Sequence, residues 1–187
     1  MWLKKHLKGA SVLDTGCGDG RLLGLLADGG ASVVGVDLSA EAINRARQRL
    51  PSQTPLFIGS VLELPFPGNS FDLVCSSEVF EHVTDPMQYL SELRRVLKPG
   101  GLCSLSTPNG LMFYAPLPWN LGRLSRILVN PKRFAAVLSP EDHWRGSLSS
   151  HPAIRPRVLR KWCKQQKFDV VKHRGLLWSY YDPERWS

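Results

Sequence analysis

The sequence predicts an α/β fold in which a doubly wound, mostly parallel sheet is covered by helices on both faces. Short apolar runs alternate with amphipathic stretches through residues 1–109, as strands joined by crossover helices do. At 187 residues the chain is also long enough for one domain, which would bury about 70% of its unfolded surface. We therefore expect a single domain over residues 1–187, with a core at 10–109, an insertion at 110–150 and a C-terminal part at 151–187.

Five strands and three helices are predicted in the core. The strands are Ser11–Asp14, Ser32–Asp37, Pro55–Ile58, Phe71–Ser76 and Leu102–Ser106, and the helices are Gly20–Ala27, Ala40–Leu50 and Pro86–Leu97. Ser39 suits the N-cap of the second helix, and Asp85 followed by Pro86 suits the start of the third. The run from Lys98 to Gly101 is expected to end that third helix.

The remainder of the chain departs from this rhythm. Residues 110–150 are rich in proline, aromatic residues and arginine, and we interpret them as an insertion that forms a lid over the substrate site. After it, Arg155–Gln166 is predicted to be a helix and Phe168–Lys172 a strand. Leu176–Tyr181 is expected to add an antiparallel element near the C-terminus.

The charge is unevenly distributed along the sequence. Residues 1–110 carry 10 basic and 11 acidic side chains, whereas residues 111–187 carry 14 and 5, so the formal charge of +8 belongs to the second part. The 4 cysteines form no C-x-x-C pair, which argues against a zinc finger and a secreted disulfide framework. With no signal-peptide pattern and no 18-residue uncharged run, the expected location is the cytoplasm.

The strongest motif is VLDTGCGDG at residues 12–20, an apolar strand that leads into three glycines and a helix. Such a loop at the carboxyl end of a strand brings backbone N–H groups close to a ligand. A dinucleotide-binding G-x-G-x-x-G would need glycine at position 21, where the chain has Arg21, so a dehydrogenase is disfavoured. Asp14 suits a cationic amino-acid ligand and would repel a pyrophosphate, while Asp37 suits a ribose diol.

Five segments in order resemble the class I S-adenosylmethionine-dependent methyltransferases that share a type 11 methyltransferase domain: VLDTGCGDG, VVGVDLS, LELPFPGNSFDLV, EVFEHVTDP and RVLKPGGLCSLSTPN. The resemblance implies a Rossmann-like fold and S-adenosyl-L-methionine as the cofactor. It implies that Asp14, Gly16 and Gly18 line the methionine half, that Asp37 holds the ribose, and that Ser60 and Val61 lie by the adenine. The cofactor-site prediction also includes Cys17, Leu38 and Ser77.

The segment EVFEH provides the catalytic candidates Glu78, Glu81 and His82. In a helical turn these three side chains would share one face, where they could orient a hydroxyl, accept its proton or hold a divalent cation. The E-x-x-E-H pattern resembles ubiquinone-biosynthesis O-methyltransferases and small-RNA 2′-O-methyltransferases, in some of which these residues bind a metal. A metal is not favoured here, and the alternative is that Glu81 and His82 only close the pocket.

The expected function is methyl transfer to an oxygen of a small-molecule or lipid-like acceptor. The alternatives are an RNA methyltransferase and a catalytically inactive, cofactor-binding partner protein. The basic C-terminal part is expected either to be a solvated surface or to contact a membrane surface or RNA. The sequence leaves the oligomeric state open.

Overall fold

The computed structural model describes residues 7–107 and 154–170. The chain divides into two compact units, residues 1–107 and 108–187. The first unit holds a five-stranded sheet and three helices, and the described part of the second holds one helix. The predicted insertion at 110–150 and the predicted element Leu176–Tyr181 lie outside the described residues.

Every strand and helix predicted in the core is confirmed. The strands are β1 Ser11–Thr15, β2 Ser32–Asp37, β3 Leu56–Ile58, β4 Phe71–Ser77 and β5 Leu97–Ser106; the helices are α1 Arg21–Asp28, α2 Ala40–Arg49 and α3 Pro86–Val96. The strand order is β3-β2-β1-β4-β5, and all neighbours pair in parallel. This is a doubly wound sheet, because the chain runs outward in one direction from β1 and then returns to its other side.

Helices cover both faces of the sheet. Because side chains alternate along each strand, residues of β1 contact helices on both faces. Val12 of β1 packs with Leu26 of α1 in one apolar cluster. Thr15 of β1, three positions further, points to the opposite face and lies against Tyr89 of α3. A second apolar cluster joins α1 to α2.

Helices α2 and α3 begin at residues whose side chains accept hydrogen bonds from free backbone N–H groups. The Ser39 hydroxyl accepts from the Ala42 N–H at 3.2 Å and caps α2. Asp85 accepts from the N–H groups of Met87 and Gln88 at 3.0 and 2.9 Å, and Pro86 occupies the first turn of α3. The predicted N-caps at positions 39 and 85 are therefore confirmed.

The last strand of the sheet begins five residues earlier than Leu102, the predicted start. Leu97 already pairs with Phe71, and Leu102 pairs with Leu73, so the register shifts between these two pairs. The intervening residues form a bulge in which Gly100 adopts a φ of +76°. Helix α3 therefore ends at Val96, one residue before its predicted end at Leu97, and the run from Lys98 to Gly101 lies inside β5 instead of ending the helix.

The amino-terminal edge of the sheet is held by a polar cluster around Asp72. The Ser11 N–H and hydroxyl donate to Asp72 Oδ2 at 2.9 and 2.7 Å. The Lys98 ammonium donates to Asp72 Oδ1 at 2.9 Å. The Ser11 hydrogen bonds, followed by the hydrogen bond from Lys98, hold the pKa of Asp72 well below its usual range.

The described part of the second unit is α4, Pro156–Gln165. Its end overturns part of a prediction, because residues 168–170 are not a strand. The Phe168 N–H donates to the Cys163 carbonyl at 2.9 Å, and Lys167 adopts a φ of +59°. Gln166 is the C-cap, and residues 167 and 168 follow it in a Schellman motif. None of the helices in residues 7–107 and 154–170 is long and apolar enough to cross a membrane.

Candidate active site

The candidate site lies where the strand order reverses, at the carboxyl ends of β1 and β4. These strands are neighbours, and Thr15 is in register with Ser76 at their ends. The glycine-rich loop at 16–20 follows β1, and the acidic segment at 78–82 follows β4. In open α/β sheets the crevice between two such loops is the usual ligand site.

Two of the glycines have different structural roles. A Cβ on Gly16 would lie 2.3 Å from the Val79 Cγ2 atom, so glycine is needed for the two loops to touch. Gly18 has a φ of +55°, and a Cβ there would meet no atom of the described residues within 4 Å. Only Gly18 therefore presents its backbone to open space, whereas Gly16 serves contact between the loops.

Asp14 is a buried carboxylate at the base of the glycine loop. Its side chain is almost fully enclosed, with 2% of the residue exposed. No hydrogen-bond donor pairs with this carboxylate in the part of the chain that the structure describes. Burial, and secondarily the charge of Asp37, raises the pKa of Asp14 to about 7. An enclosed carboxylate in this state would be stabilised by a cation or donor brought by a ligand.

Asp37 ends β2 beside the same loop, and its carboxylate is already oriented. Oδ2 accepts from the Gly18 N–H at 2.9 Å, and Oδ1 accepts from the Ser39 N–H at 2.8 Å. Each oxygen keeps a lone pair that can accept a further hydroxyl. Leu38 follows with 75% of its surface exposed, so a large apolar side chain stands next to this carboxylate.

The other predicted cofactor residues differ in burial: one is part of the core, two are half-buried and one is exposed. The Cys17 side chain packs among the apolar residues between α1 and α2, and its N–H donates to the Val36 carbonyl, so the cysteine is part of the core. The Ser60 hydroxyl accepts from the Leu62 N–H at 3.1 Å, and Val61 beside it is half-buried. Ser77 is exposed at the end of β4, with its hydroxyl 3.3 Å from that of Ser106.

The three predicted catalytic residues do not form one helical face. Glu78 has a φ of +53°, and the turn that follows begins only at Phe80. Glu78 and His82 are exposed, whereas Glu81 is buried. His82 Nε2 lies 4.0 Å from Glu81 Oε1, so these two remain a pair. The predicted helical turn is wrong because the left-handed residue separates Glu78 from the turn that carries the other two.

Two hydroxyls at the end of β5 orient Glu78 and Glu81. These hydroxyls were not identified from the sequence. The Ser106 hydroxyl donates to Glu78 Oε1 at 2.8 Å, and the Thr107 hydroxyl donates to Glu81 Oε2 at 3.1 Å. Burial raises the pKa of Glu81, and the hydrogen bond from Thr107 opposes that effect. The available signal was a pair of hydroxyl residues at the carboxyl end of a predicted strand.

A buried tyrosine beneath the crevice also escaped prediction. The Tyr89 hydroxyl lies 2.6 Å from Thr15 Oγ1 and donates to Ser76 Oγ at 2.9 Å. Its ring packs on Phe80, with ring centroids 6.0 Å apart. Tyr89 therefore links the strand ends that precede both loops and also supports the turn that carries Glu81. Helical spacing in α3 indicates only an apolar face and gives no sign of this role.

The described residues fit a cationic ligand that carries a ribose. Among these residues Asp14 has no hydrogen-bond donor, a Cβ on Gly18 would meet no atom within 4 Å, and Asp37 has acceptor capacity for a diol. As for a metal, residues 7–107 and 154–170 contain no group of three or more His, Cys, Asp or Glu arranged to hold one.

Comparison with known proteins identifies the family of the chain. The family described as Methyltransferase domain matches residues 13–105. A ubiquinone biosynthesis O-methyltransferase from Cereibacter sphaeroides is 32% identical over 96% of this chain and 67% of its own length. A Mycolicibacterium smegmatis protein named a probable S-adenosylmethionine-dependent methyltransferase is 40% identical over 60% of this chain, and the match spans about half of that protein, 47%.

Among solved structures, an S-adenosylmethionine-dependent methyltransferase from Mesorhizobium loti is similar with a TM-score of 0.54 and 32% identity. The match covers 59% of this chain and 51% of that one. The family match, the long alignment to the ubiquinone enzyme and the crevice at the switch in strand order agree with one another. The chain belongs to the S-adenosylmethionine-dependent methyltransferases of class I.

Proposed function

We propose that this protein transfers a methyl group from S-adenosylmethionine to an oxygen of a small-molecule acceptor. The observation that carries the proposal is Asp14, an enclosed carboxylate with no described hydrogen-bond donor, beside the one loop glycine that faces open space. The O-methyltransferase relatives support oxygen as the acceptor atom.

The cofactor-binding role is divided between two carboxylates. Asp14 would face the cationic methionine half, and Asp37 would accept from the two ribose hydroxyls. Because Asp37 also accepts from the Gly18 N–H, it fixes the loop whose backbone faces the ligand. Leu38 offers an exposed apolar surface on which the adenine can pack, with the half-buried Val61 and Ser60 as its further neighbours.

When bound, S-adenosylmethionine supplies an electrophilic methyl carbon whose bond to sulfur breaks, with the electron pair kept by sulfur, as the acceptor oxygen forms its new bond to carbon. The protein's task is to place the acceptor and take its proton. His82 is exposed and would accept that proton at its imidazole. Glu81, held by Thr107, would orient the imidazole.

The direct test is a labelled-methyl transfer screen with the purified full chain. The acceptor panel contains phenols, catechols, lipid-quinone precursors, sugars and RNA, each with and without a chelator. We expect transfer to a phenolic or catechol oxygen that the chelator leaves unchanged. Transfer only to RNA would replace the proposed acceptor class, and cofactor binding without any transfer would favour the inactive partner protein.

His82→Ala should lower the rate of methyl transfer about 10²- to 10⁴-fold, the usual contribution of a general base. Cofactor affinity measured by calorimetry should stay unchanged, because the carboxylates assigned to the cofactor lie on β1 and β2. Gln88→Ala, an exposed change on the neighbouring helix, is the control. Full turnover in the His82 variant would contradict the proposal that His82 is the general base.

A further inference from the structure

The described cations of the two units differ in their pairing. In the first unit most exposed cations have a carboxylate partner: Arg21, Arg45, Arg49, Arg95 and Lys98. In α4, four exposed cations have no ion-pair partner among residues 7–107 and 154–170: Arg157, Arg160, Lys161 and Lys164. We call these four the α4 basic face.

The spacing of the α4 basic face places all four charges on one side of the helix. Positions 157, 160, 161 and 164 are related by three, four and seven residues, so they line a stripe about 10 Å long. The same four side chains, with Gln165, line a shallow hollow of about 500 Å³. Four like charges so close together repel one another, and an anionic partner would relieve that repulsion.

The exposed side chains of α4 favour a phosphate backbone over a lipid bilayer. Every exposed residue within the helix is charged or polar, whereas its apolar residues are half-buried: Val158, Leu159, Trp162 and Cys163. A helix that lies in a membrane surface inserts an exposed apolar face. The α4 basic face instead offers hydrogen-bonding cations, which are the groups that contact nucleic-acid phosphates, although Asp169 lines a neighbouring hollow with Arg160 and Lys164.

We infer that the α4 basic face binds the phosphate backbone of a nucleic acid without reading its sequence. This inference goes beyond the proposed function. It gives the protein a way to associate with RNA whether or not RNA accepts the methyl group.

The test is a fluorescence-anisotropy titration of the purified full chain with a labelled single-stranded RNA of mixed sequence, across about 50 to 200 mM salt. If all four cations engage phosphates, the slope of log affinity against log salt should be about −2.8, since each contact contributes about −0.7. R160Q combined with K164Q should weaken binding and make the slope shallower by about 1.4. A parallel titration with duplex DNA separates the two sources of a phosphate backbone, and binding to either supports the inference.

The matched control is R45Q combined with R47Q, which removes two cations from α2 and changes the net charge equally. This control should retain the wild-type slope. The inference is overturned if the protein does not bind nucleic acid at low salt, if both double variants change binding equally, or if the protein binds phosphatidylglycerol vesicles and neither nucleic acid. Cofactor binding by calorimetry is measured in parallel, so failure of the active-site assignment is recognised separately.

Discussion

An aspartate at the amino-terminal edge of the sheet and an aspartate at the carboxyl edge have opposite surroundings. At the amino-terminal edge, Asp72 is half-exposed and is fully engaged by Ser11 and Lys98, and its pKa is lowered. At the carboxyl edge, Asp14 is buried with no described donor, and its pKa is raised to about 7. Asp72 is stabilised by hydrogen bonds within the protein, whereas Asp14 would be stabilised by a donor or cation that a ligand brings.

We propose that this difference distinguishes a structural carboxylate, Asp72, from a ligand-binding one, Asp14. A protein selected only for stability would give Asp14 a partner or replace it by an apolar residue, because burying a lone charge costs free energy. Under the proposed function, the ligand supplies the partner that the described residues do not give Asp14. The following experiments test this contrast, in order of decreasing effect.

The largest effect is expected from Asp37→Ala. The change removes the acceptor proposed for the ribose and also releases the Gly18 and Ser39 N–H groups, so cofactor binding should weaken beyond detection by calorimetry, at least about 100-fold, or about 3 kcal/mol. Asp72→Ala removes a carboxylate from the opposite edge and should leave cofactor affinity intact. Equal losses in the two variants would mean that the effect comes from general destabilisation.

A smaller but pH-dependent effect is expected at Asp14. Because a cationic cofactor favours the ionised carboxylate, affinity should rise with pH up to about 7, the pKa of free Asp14, by about tenfold per unit, and then level off. Asp14→Asn should bind more weakly and with a flat profile. Calorimetry from pH 5.5 to 7.5 measures both, and a flat wild-type profile would contradict the assignment.

Asp14→Asn, which should weaken cofactor binding, should make the cofactor-free protein more stable. The raised pKa of Asp14 means that its contribution is most favourable below the unfolded value near 4 and is lost as pH rises through about 7. Asp14→Asn should therefore raise the melting temperature at pH 8 and change it little at pH 4. The upper limit of the gain is about 4 kcal/mol.

Tyr89→Phe should have an intermediate effect that is confined to the carboxyl edge. It keeps the ring that packs on Phe80 but removes the hydroxyl between Thr15 and Ser76, at a cost of about 1 to 2 kcal/mol in stability. Hydrogen exchange should accelerate in both loops, 15–18 and 77–82. Ser11→Ala, which loses hydrogen bonds at the amino edge, is the control and should leave both loops unchanged. Equal acceleration in the two variants would remove the special role of Tyr89.

The smallest effect belongs to the amino edge. The lowered pKa of Asp72 means that its contribution is present above the unfolded value near 4 and is lost as pH falls through the lower folded value. Asp72→Asn should cost at most about 1 kcal/mol at pH 7, because the pair with Lys98 is exposed. In urea unfolding the variant and wild type should converge toward pH 2, and a constant difference would exclude titration as the cause.

The sequence was sufficient for the parts of the molecule that depend on local pattern. Strand alternation and caps such as Ser39 and Asp85 are set by near neighbours, and the structure confirms them. It was insufficient where a role depends on distant residues. Gly16 is needed because of Val79, and Tyr89 matters because of Thr15 and Ser76. The C-terminal end of α4 also shows that hydrogen bonds to the last turn of a helix can override a sequence pattern that predicts a strand, here at residues 168–170.

The contact between Gly16 and Val79 also has a consequence for protein engineering. Since the two loops meet through one missing Cβ, neither can be exchanged alone for the loop of a relative. A chimera that imports a larger side chain at position 79, or any side chain at position 16, would force the glycine loop away from β4. The two segments should therefore be transplanted together, as one replaceable cassette.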